Sequence, residues 1–170
     1  DIGGGSTRPG SKPVSIQQEI DRVVPVIKEL ASSTATLISV DTQKSRVARA
    51  AIAAGAHIVN DVSAGIHDES MFPLIAETGV GYVMMHMQGI PETMQQRPHY
   101  DSVIDEIQNF FNRRLLEAEA AGIDRSHIVL DPGIGFGKRL EDNLQILAGM
   151  NSFHSFDLPL LLGASRKSFI

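Results

Sequence analysis

Short apolar segments alternate strictly with amphipathic helical segments along the 170 residues. The apolar segments are continuous, which is typical of parallel strands that are buried on both faces. One strand followed by one helix in every unit predicts an α/β protein with a parallel sheet. The predicted strands are 36–41, 57–61, 81–86, 127–131 and 158–163, and the predicted helices are 15–31, 44–54, 69–77, 102–121 and 141–150.

A polar side chain closes or directly follows each of six successive strands, the five above and an expected first strand that ends at Asp1. In chain order these are Asp1, Asp41, Asn60 with Asp61, His86, Asp131, and Ser165 with Arg166 and Lys167. An open α/β sheet gathers ligand residues mostly at one switch point, whereas a (β/α)8 barrel gathers them from nearly every strand around one rim. The pattern therefore favours the barrel. Since a barrel typically takes about 250 residues, we expect 1–170 to be a single barrel domain truncated at both ends, from about the end of strand 2 through strand 7.

Composition narrows the classes of partner. The net charge of −5 and the pI of about 5.6 argue against a nucleic-acid surface, which is usually basic. The chain has no cysteine, which rules out disulfides and thiolate metal sites and fits a cytoplasmic protein. No apolar segment is long enough to cross a bilayer, so we expect no membrane partner.

Asp41, Asn60 and Asp131 end three different predicted strands and could point into one pocket. A buried carboxylate is unfavourable unless it meets a hydrogen-bond donor. A ligand with paired N–H groups, such as the edge of a pterin or a guanine, would supply the donors, and Asn60 can both donate and accept. The strand ends therefore indicate a site for a flat heterocycle.

The segment "DPGIGFGK" spaces three glycines, Gly133, Gly135 and Gly137, around an aromatic residue. Backbone amides in such a loop can approach a flat ring or an anion closely. A purely structural turn is an equally good interpretation of the glycines. Phe136 is predicted to be exposed between them and to stack on a planar ligand.

Other polar groups favour an anionic or polar ligand. In "GASRKSF", Lys167 is a candidate donor, although a solvated helix start is the alternative. In the opening "DIGGGSTRPG", Thr7 and Arg8 suit a carboxylate or phosphate, and Pro9 stiffens a loop that we expect to lie over a site. His86 is expected to be structural, and the histidines show no metal-ligand spacing.

Six strings agree with one known family in their order along the chain. They are "DIGGGSTRPG", "ISVDT", "HIVNDV", "MMHMQG", "LDPGIGFGK" and "GASRKSFI". Together they closely resemble the pterin-binding dihydropteroate synthase family of folate biosynthesis, the target of sulfonamides. The resemblance implies a cytoplasmic (β/α)8 barrel transferase that joins 6-hydroxymethyl-7,8-dihydropterin diphosphate to p-aminobenzoate and releases pyrophosphate, with Mg²⁺ as cofactor. It also implies a homodimer when the protein is full length.

The resemblance assigns roles to residues at matching motif positions. Asp41, Asn60, Asp131 and Lys167 would hold the pterin, with Val62, Met85, Gly135, Phe136 and Gly163 lining its slot. Thr7, Arg8 and Pro9 would close over p-aminobenzoate, with Ser165 and Ser168 nearby. Asp131 and Lys167 take the catalytic roles. Asp1 would lie near the metal, whose ligands are not expected within these residues.

One departure from the family keeps alternatives open. Gly5 stands where the family usually has Glu, so that "GGGST" replaces "GGEST". A glycine removes an acidic anchor and loosens the loop. A non-catalytic pterin-binding homologue is therefore an alternative, as is a methyltetrahydrofolate:corrinoid methyltransferase, which shares the pterin-site logic. An open-sheet phosphate-binding protein would require a sheet with two edges.

Overall fold

The computed structural model describes residues 1–6, 13–165 and 167. Along them, strands and helices alternate. The strands are β1 (Ile2–Gly3), β2 (Ser39–Asp41), β3 (Ile58–Asp61), β4 (Gly81–Met85) and β5 (Ile128–Asp131). The helices are α1 (Ile16–Ser33), α2 (Ser45–Ala53), α3 (Met71–Thr78), α4 (Val103–Ala120) and α5 (Leu140–Ala148), and 3-10 turns occupy Arg125–His127 and Met150–Phe156.

The strands form one parallel sheet in the order β1-β2-β3-β4-β5, so every strand pairs with its neighbours in the sequence. A doubly wound sheet reverses its strand order at a switch point, and the part of the chain described here contains no such reversal. Neighbouring helices also pack in chain order, α1 on α2, α2 on α3 and α4 on α5. These residues therefore form one arc of a (β/α)8 barrel, as the polar strand ends predicted.

The hydrophobic core lies between the strands and the helices. Alternate strand residues, including Val40, Val59 and Tyr82, are fully buried in it. Because side chains alternate across a strand, the residues between them point to the inside of the barrel. Asp41 and Asn60 lie opposite one another in the register of β2 and β3, and both belong to this inner face.

Helix α1 begins as predicted and ends later than predicted. The side chain of Ser15 accepts a hydrogen bond from the backbone N–H of Gln18, and the two residues form the predicted capping box. Pro25 was expected to kink or shorten the helix, but α1 continues to Ser33. Among the described residues, none of the helices has the length and apolar character that crossing a membrane requires.

The predicted strand at 158–163 is wrong as a regular element. The described residues there form only an isolated parallel bridge between Leu130 and Leu160, in which Leu130 donates to Pro159 and Leu161 donates to Leu130. The segment has a ladder partner on the β5 side, and nothing among the described residues pairs with its other side. A single bridge is not a ladder of paired residues, so this segment is not a regular strand.

Asp61 fixes the direction of the chain where β3 ends. It is 0% exposed, and both of its carboxylate oxygens are fully engaged. Oδ1 accepts hydrogen bonds from the N–H and the hydroxyl of Ser63 at 2.8 and 2.7 Å, and Oδ2 accepts from the N–H of Gly65 at 2.7 Å and the hydroxyl of Tyr82 at 2.8 Å. The carboxylate therefore fixes the end of β3, where Asn60 and Val62 of the predicted site lie on either side of Asp61.

We predict that Asp61→Ala in the full-length protein lowers the free energy of unfolding by about 3 kcal/mol, because it leaves buried donors without an acceptor. Asp124→Ala is the matched control, since Asp124 accepts the same pair of bonds from Ser126 but is exposed. Urea unfolding measures both variants. A loss for Asp61→Ala no larger than that of the control would contradict this account.

Candidate functional site

The ends of the first three strands bring together Asp1, Asp41 and Asn60. The Asp1 carboxylate accepts hydrogen bonds from the Ser39 hydroxyl at 2.5 Å and from the Asn60 side-chain amide at 3.1 Å. A Cβ at Gly3 would lie 3.5 Å from Oδ2 of Asp41, so this glycine leaves the inner face open beside the carboxylate. The three predicted residues therefore share one rim, and Ser39 is a fourth member that sequence reasoning missed.

Asp41 is a half-buried carboxyl, and no cationic side chain of residues 1–6, 13–165 and 167 forms an ion pair with it. Burial is the main cause that raises its pKa from 3.8 to about 6, and the charges of Asp61 and Glu19 raise it further. A carboxylate in this state is unfavourable until a donor reaches it. A ligand that presents N–H groups at this position would be bound by Asp41 and would lower its pKa.

Asp131 ends β5 opposite Met85 in the register of β4 and β5. The N–H of Gly133 donates to its Oδ1 at 2.8 Å, and no hydrogen bond from the described residues reaches its Oδ2. Burial raises the pKa of Asp131, while the Gly133 N–H and the charges of Lys138 and Lys167 oppose the rise. This carboxylate thus has one oxygen fixed by the backbone and one available to a ligand.

The glycines after β5 are required by close packing. Gly133 and Gly137 have positive φ angles, and a Cβ at these positions would lie 1.9 Å from the carbonyl oxygen of His86 and 2.3 Å from that of Gln88. No other residue fits there. The structural interpretation of these two glycines is therefore the correct one.

The backbone amides of the same loop are already in use. The N–H of Gly133 donates to Asp131, that of Gly135 donates to Asn143 at 2.8 Å, and that of Phe136 donates to the carbonyl of Gly133. The expectation that the loop offers an anion its amides is wrong for these three groups. The loop presents a side chain, that of Phe136, to its surroundings.

Phe136 and Lys167 lie against each other. The Lys167 ammonium is 4.1 Å from the centre of the Phe136 ring, in cation–π geometry, and the ring is half-buried. A Cβ at Gly135 would lie 3.0 Å from Cδ of Lys167, so Gly135 makes room for the lysine. Burial lowers the pKa of Lys167, and Asp131 opposes the change. The predicted aromatic, cation and carboxylate therefore form a second group at the rim.

The remaining predicted residues are distributed as follows. Val62 and Met85 are buried, Val62 directly after β3 and Met85 at the end of β4. A Cβ at Gly163 would lie 3.9 Å from Oδ2 of Asp131. Ser165 is exposed in a turn. Thr7, Arg8, Pro9 and Ser168 lie outside the described residues.

A cavity of about 550 Å³ opens beside the rim. It lies between the first loop and the loops that follow β2, β3 and β4, and among the predicted residues it is lined by Asp41 and Val62. The other predicted residues of the ring site do not line it: Asn60, Met85, Asp131, Gly135, Phe136, Gly163 and Lys167. The cavity therefore adjoins the carboxylate cluster rather than enclosing it.

Sequence reasoning missed Lys138, a buried cation at the centre of the site's scaffold. Its ammonium contacts the ring of His86 and three backbone carbonyl oxygens. His86 is itself buried, and burial and then the charge of Lys138 hold its pKa well below the usual value. His86 is thus a structural histidine, as expected. A lysine after a glycine loop has no local pattern that distinguishes it from a surface lysine.

Comparison with protein families gives one match over the whole chain. A family model described as "Pterin binding enzyme" matches residues 1–170. Among curated proteins, the dihydropteroate synthase of Escherichia coli strain K12 is 46% identical over 170 residues, which are 100% of this chain and 60% of that protein. The chain thus spans about three fifths of the length of this relative.

Solved structures agree with the family match. The dihydropteroate synthase of Yersinia pestis, in a complex with a sulfonamide drug, has a TM-score of 0.96 and 45% identity over 98% of this chain and 60% of that one. The enzyme of Xanthomonas albilineans with 4-aminobenzoic acid has a TM-score of 0.93 and 44% identity over 99% of this chain and 59% of that one. The arc of strands and helices therefore has its counterpart within longer barrels.

The raised pKa of Asp41 predicts how stability depends on pH. Because the folded state holds this proton more tightly than the unfolded state, the contribution of Asp41 to stability is fully present below about pH 3.8 and is lost as the pH rises through about 6. Asp41→Asn in the full-length protein should therefore be more stable than wild type by about 2 kcal/mol at pH 7 and indistinguishable at pH 4.

Urea unfolding at pH 4, 5, 6 and 7, without ligand, measures this difference. Asp21→Asn serves as the control, because Asp21 is exposed on α1 and is hydrogen-bonded only to Gln17 among the described residues. A stability difference between Asp41→Asn and wild type that stays the same from pH 4 to pH 7 would contradict the assignment.

Proposed function

This chain belongs to the pterin-binding enzyme family, and from that premise we propose that the protein is a dihydropteroate synthase. It would join 6-hydroxymethyl-7,8-dihydropterin diphosphate to p-aminobenzoate and release pyrophosphate. The observation that carries the proposal is a pair of carboxyls at carboxyl ends of strands in one parallel sheet, half-buried Asp41 and buried Asp131, whose pKa values are raised and which lack hydrogen-bond donors among the described residues, apart from the Gly133 N–H. Such groups require a ligand rich in N–H donors.

The pterin ring supplies these donors on its amino-pyrimidine edge. We assign that edge to Asp131, through the oxygen that the backbone leaves available, and to Asp41 on β2 and Asn60 on β3. Lys167 donates to an acceptor of the ring. Phe136 offers its face for stacking once the ring takes the place now held by the lysine ammonium.

The second substrate is assigned by motif. Thr7, Arg8 and Pro9, with Ser165 and Ser168, would bind p-aminobenzoate, for which a hydroxyl and a guanidinium are suitable partners of the carboxylate. The similar enzyme of Xanthomonas albilineans was solved with 4-aminobenzoic acid, and this supports the assignment of the substrate. The whole protein is proposed to work as a homodimer in the cytoplasm.

The reaction needs no strong general base. The bond between the methylene carbon and the diphosphate oxygen breaks, and the electron pair leaves with the diphosphate. The resulting pterin cation is attacked by the free amine of p-aminobenzoate, whose proton passes to the surroundings. Ionised Asp41 and Asp131 beside the ring would stabilise the positive charge as it develops, because preorganised charges act strongly in a dry site.

Mg²⁺ is proposed as the cofactor. The described residues contain no group of three or more His, Asp or Glu side chains that could hold a metal. They fit a magnesium ion that is held mainly by substrate phosphates and one or two carboxylates, which is the usual arrangement. Asp1 at the rim is the carboxylate that would contact it, and the ion would neutralise charge on the departing diphosphate.

The non-catalytic alternative depends on Gly5. A Cβ at Gly5 would meet no atom of the described residues within 4 Å, and the φ angle there is not in the left-handed region. The backbone therefore does not require glycine, and an acidic side chain fits without strain. The absence of Glu at this position changes the loop chemistry without changing the fold.

The direct test is an assay of the full-length protein with the pterin diphosphate and p-aminobenzoate. We predict formation of 7,8-dihydropteroate and pyrophosphate in equal amounts, and a loss of about 100-fold in kcat/KM for Asp131→Asn, which removes a charge-assisted contact to the ring. Asp124→Asn, an exposed change, is the control. Absence of product with wild type, together with methyl transfer from methyltetrahydrofolate to a corrinoid, would support the methyltransferase instead.

A second prediction concerns Gly5→Glu in the same protein. If the glycine loosens the loop, the acidic residue lowers the KM for p-aminobenzoate or raises kcat by several-fold and leaves pterin binding unchanged. Gly5→Gln is the control for size without charge. Equal activity of all three proteins would show that position 5 does not limit turnover.

A further inference from the structure

We propose that Lys138 is a positioning residue that fixes Phe136 and Asp131 for the pterin ring, an inference that rests on the proposed function. Lys138 is 3% exposed, and its ammonium contacts protein atoms rather than the ligand. It acts through the loop that it holds. Of its partners, Gly133 and Phe136 belong to the preceding loop, and His86 lies 52 residues away in the sequence.

Three carbonyl oxygens and one ring nitrogen surround the ammonium of Lys138. Nζ is 2.9 Å from the carbonyl oxygen of Gly133, 3.0 Å from that of Phe136, 3.2 Å from that of His86 and 3.0 Å from Nδ1 of His86. An ammonium has three N–H groups to donate, while a neutral amine would point a lone pair at one of these atoms. The three carbonyl oxygens match the three N–H groups of the charged form, and the role of Nδ1 of His86 beside them depends on the tautomer of the ring.

The groups that Lys138 holds are those that define the site. The carbonyls of Gly133 and Phe136 belong to the loop that carries the aromatic ring, and the carbonyl of His86 belongs to the exit of β4. The buried ammonium of Lys138 thus links the loop after β5 to the end of β4. Because the carbonyl of Phe136 is one of its acceptors, removal of Lys138 frees the backbone of the residue whose side chain stacks.

The loop is also supported from its outer side. The hydroxyl of Tyr100 donates to the carbonyl of Gly137 at 2.8 Å, and the side-chain amide of Gln95 donates to that of Gly135 at 2.7 Å. These neutral bonds come from the segment between β4 and α4. They hold neither the carbonyl of Gly133 nor that of Phe136, so they do not replace the contacts of Lys138.

Charge connects Lys138 to the carboxylate that meets the ligand. Burial lowers the pKa of Lys138 to about 7, the charges of Asp131 and Asp142 oppose this, and Lys167 adds to it. In return, the positive charge of Lys138 favours the ionised form of Asp131. Loss of this cation therefore weakens the carboxylate as an acceptor in addition to releasing the loop.

The test uses Lys138→Met in the full-length protein, because Met keeps the length and volume and removes the charge. We expect at least a tenfold increase in the KM for the pterin diphosphate and in its dissociation constant by calorimetry. The KM for p-aminobenzoate should change less than twofold. The control is Arg139→Met, the next residue, which is exposed and pairs with Asp142 at the start of α5.

A double-variant cycle separates positioning from general stability. If Lys138 acts through Phe136, then Lys138→Met should weaken pterin binding much less in a Phe136→Ala background than in wild type. A merely structural lysine would lower the folded fraction and affect both substrates equally. Where Lys138→Met does not fold, Lys138→Gln, which retains a donor of similar reach, carries the same measurements.

The outcomes distinguish a failure of the proposed synthase activity from a failure of the positioning role of Lys138. Wild type that forms no dihydropteroate overturns the proposed function. Wild type that is active while the Lys138 variants bind the pterin diphosphate within twofold of wild type overturns the positioning role alone. Full additivity of the Lys138 and Phe136 changes also overturns it, because the lysine would then act independently of the ring.

Discussion

The structure depends on carboxyls that are buried at the carboxyl ends of neighbouring parallel strands. Asp61 shows one solution, in which four protein donors satisfy the group completely. Burial raises the pKa of all three carboxyls, but among the described residues Asp131 accepts a single hydrogen bond, from Gly133, and the Asp41 side chain accepts none. The number of protein donors thus distinguishes a structural carboxylate from the binding carboxylates of the same sheet. A flat ligand with N–H groups supplies the donors that the binding carboxylates lack.

Close backbone contacts and one buried cation hold the loop beside these carboxyls in place. Glycines 133 and 137 let the loop after β5 touch the backbone that follows β4, where any side chain would clash. Lys138 then occupies the space beneath the loop and bonds to carbonyls on both sides of the contact. The binding group, the aromatic face and the buried cation are thus parts of one assembly, and a change in one is transmitted to the others over a few ångströms.

Much of this could be predicted from the sequence, because periodicity and the position of polar residues are local properties. The alternation of elements predicted the barrel, and the strand ends predicted the rim on which Asp41, Asn60 and Asp131 lie. The role of Lys138 could not be predicted, since His86 lies 52 residues away. The segment 158–163 was mispredicted because its apolar character does not determine how many of its residues pair with β5, and only Leu160 does so, with Leu130.

The central claim is that the pterin edge completes the buried carboxyls, and proton release on binding tests it most directly. Calorimetry of the full-length protein with 6-hydroxymethylpterin, which has no titrating diphosphate, at pH 6 in buffers of different ionisation enthalpy measures that release. The account predicts that a substantial fraction of a proton leaves as the ligand lowers the pKa of Asp41 from about 6, and that Asp41→Asn reduces the release to the part that comes from Asp131. Binding without proton release by wild type would contradict the account.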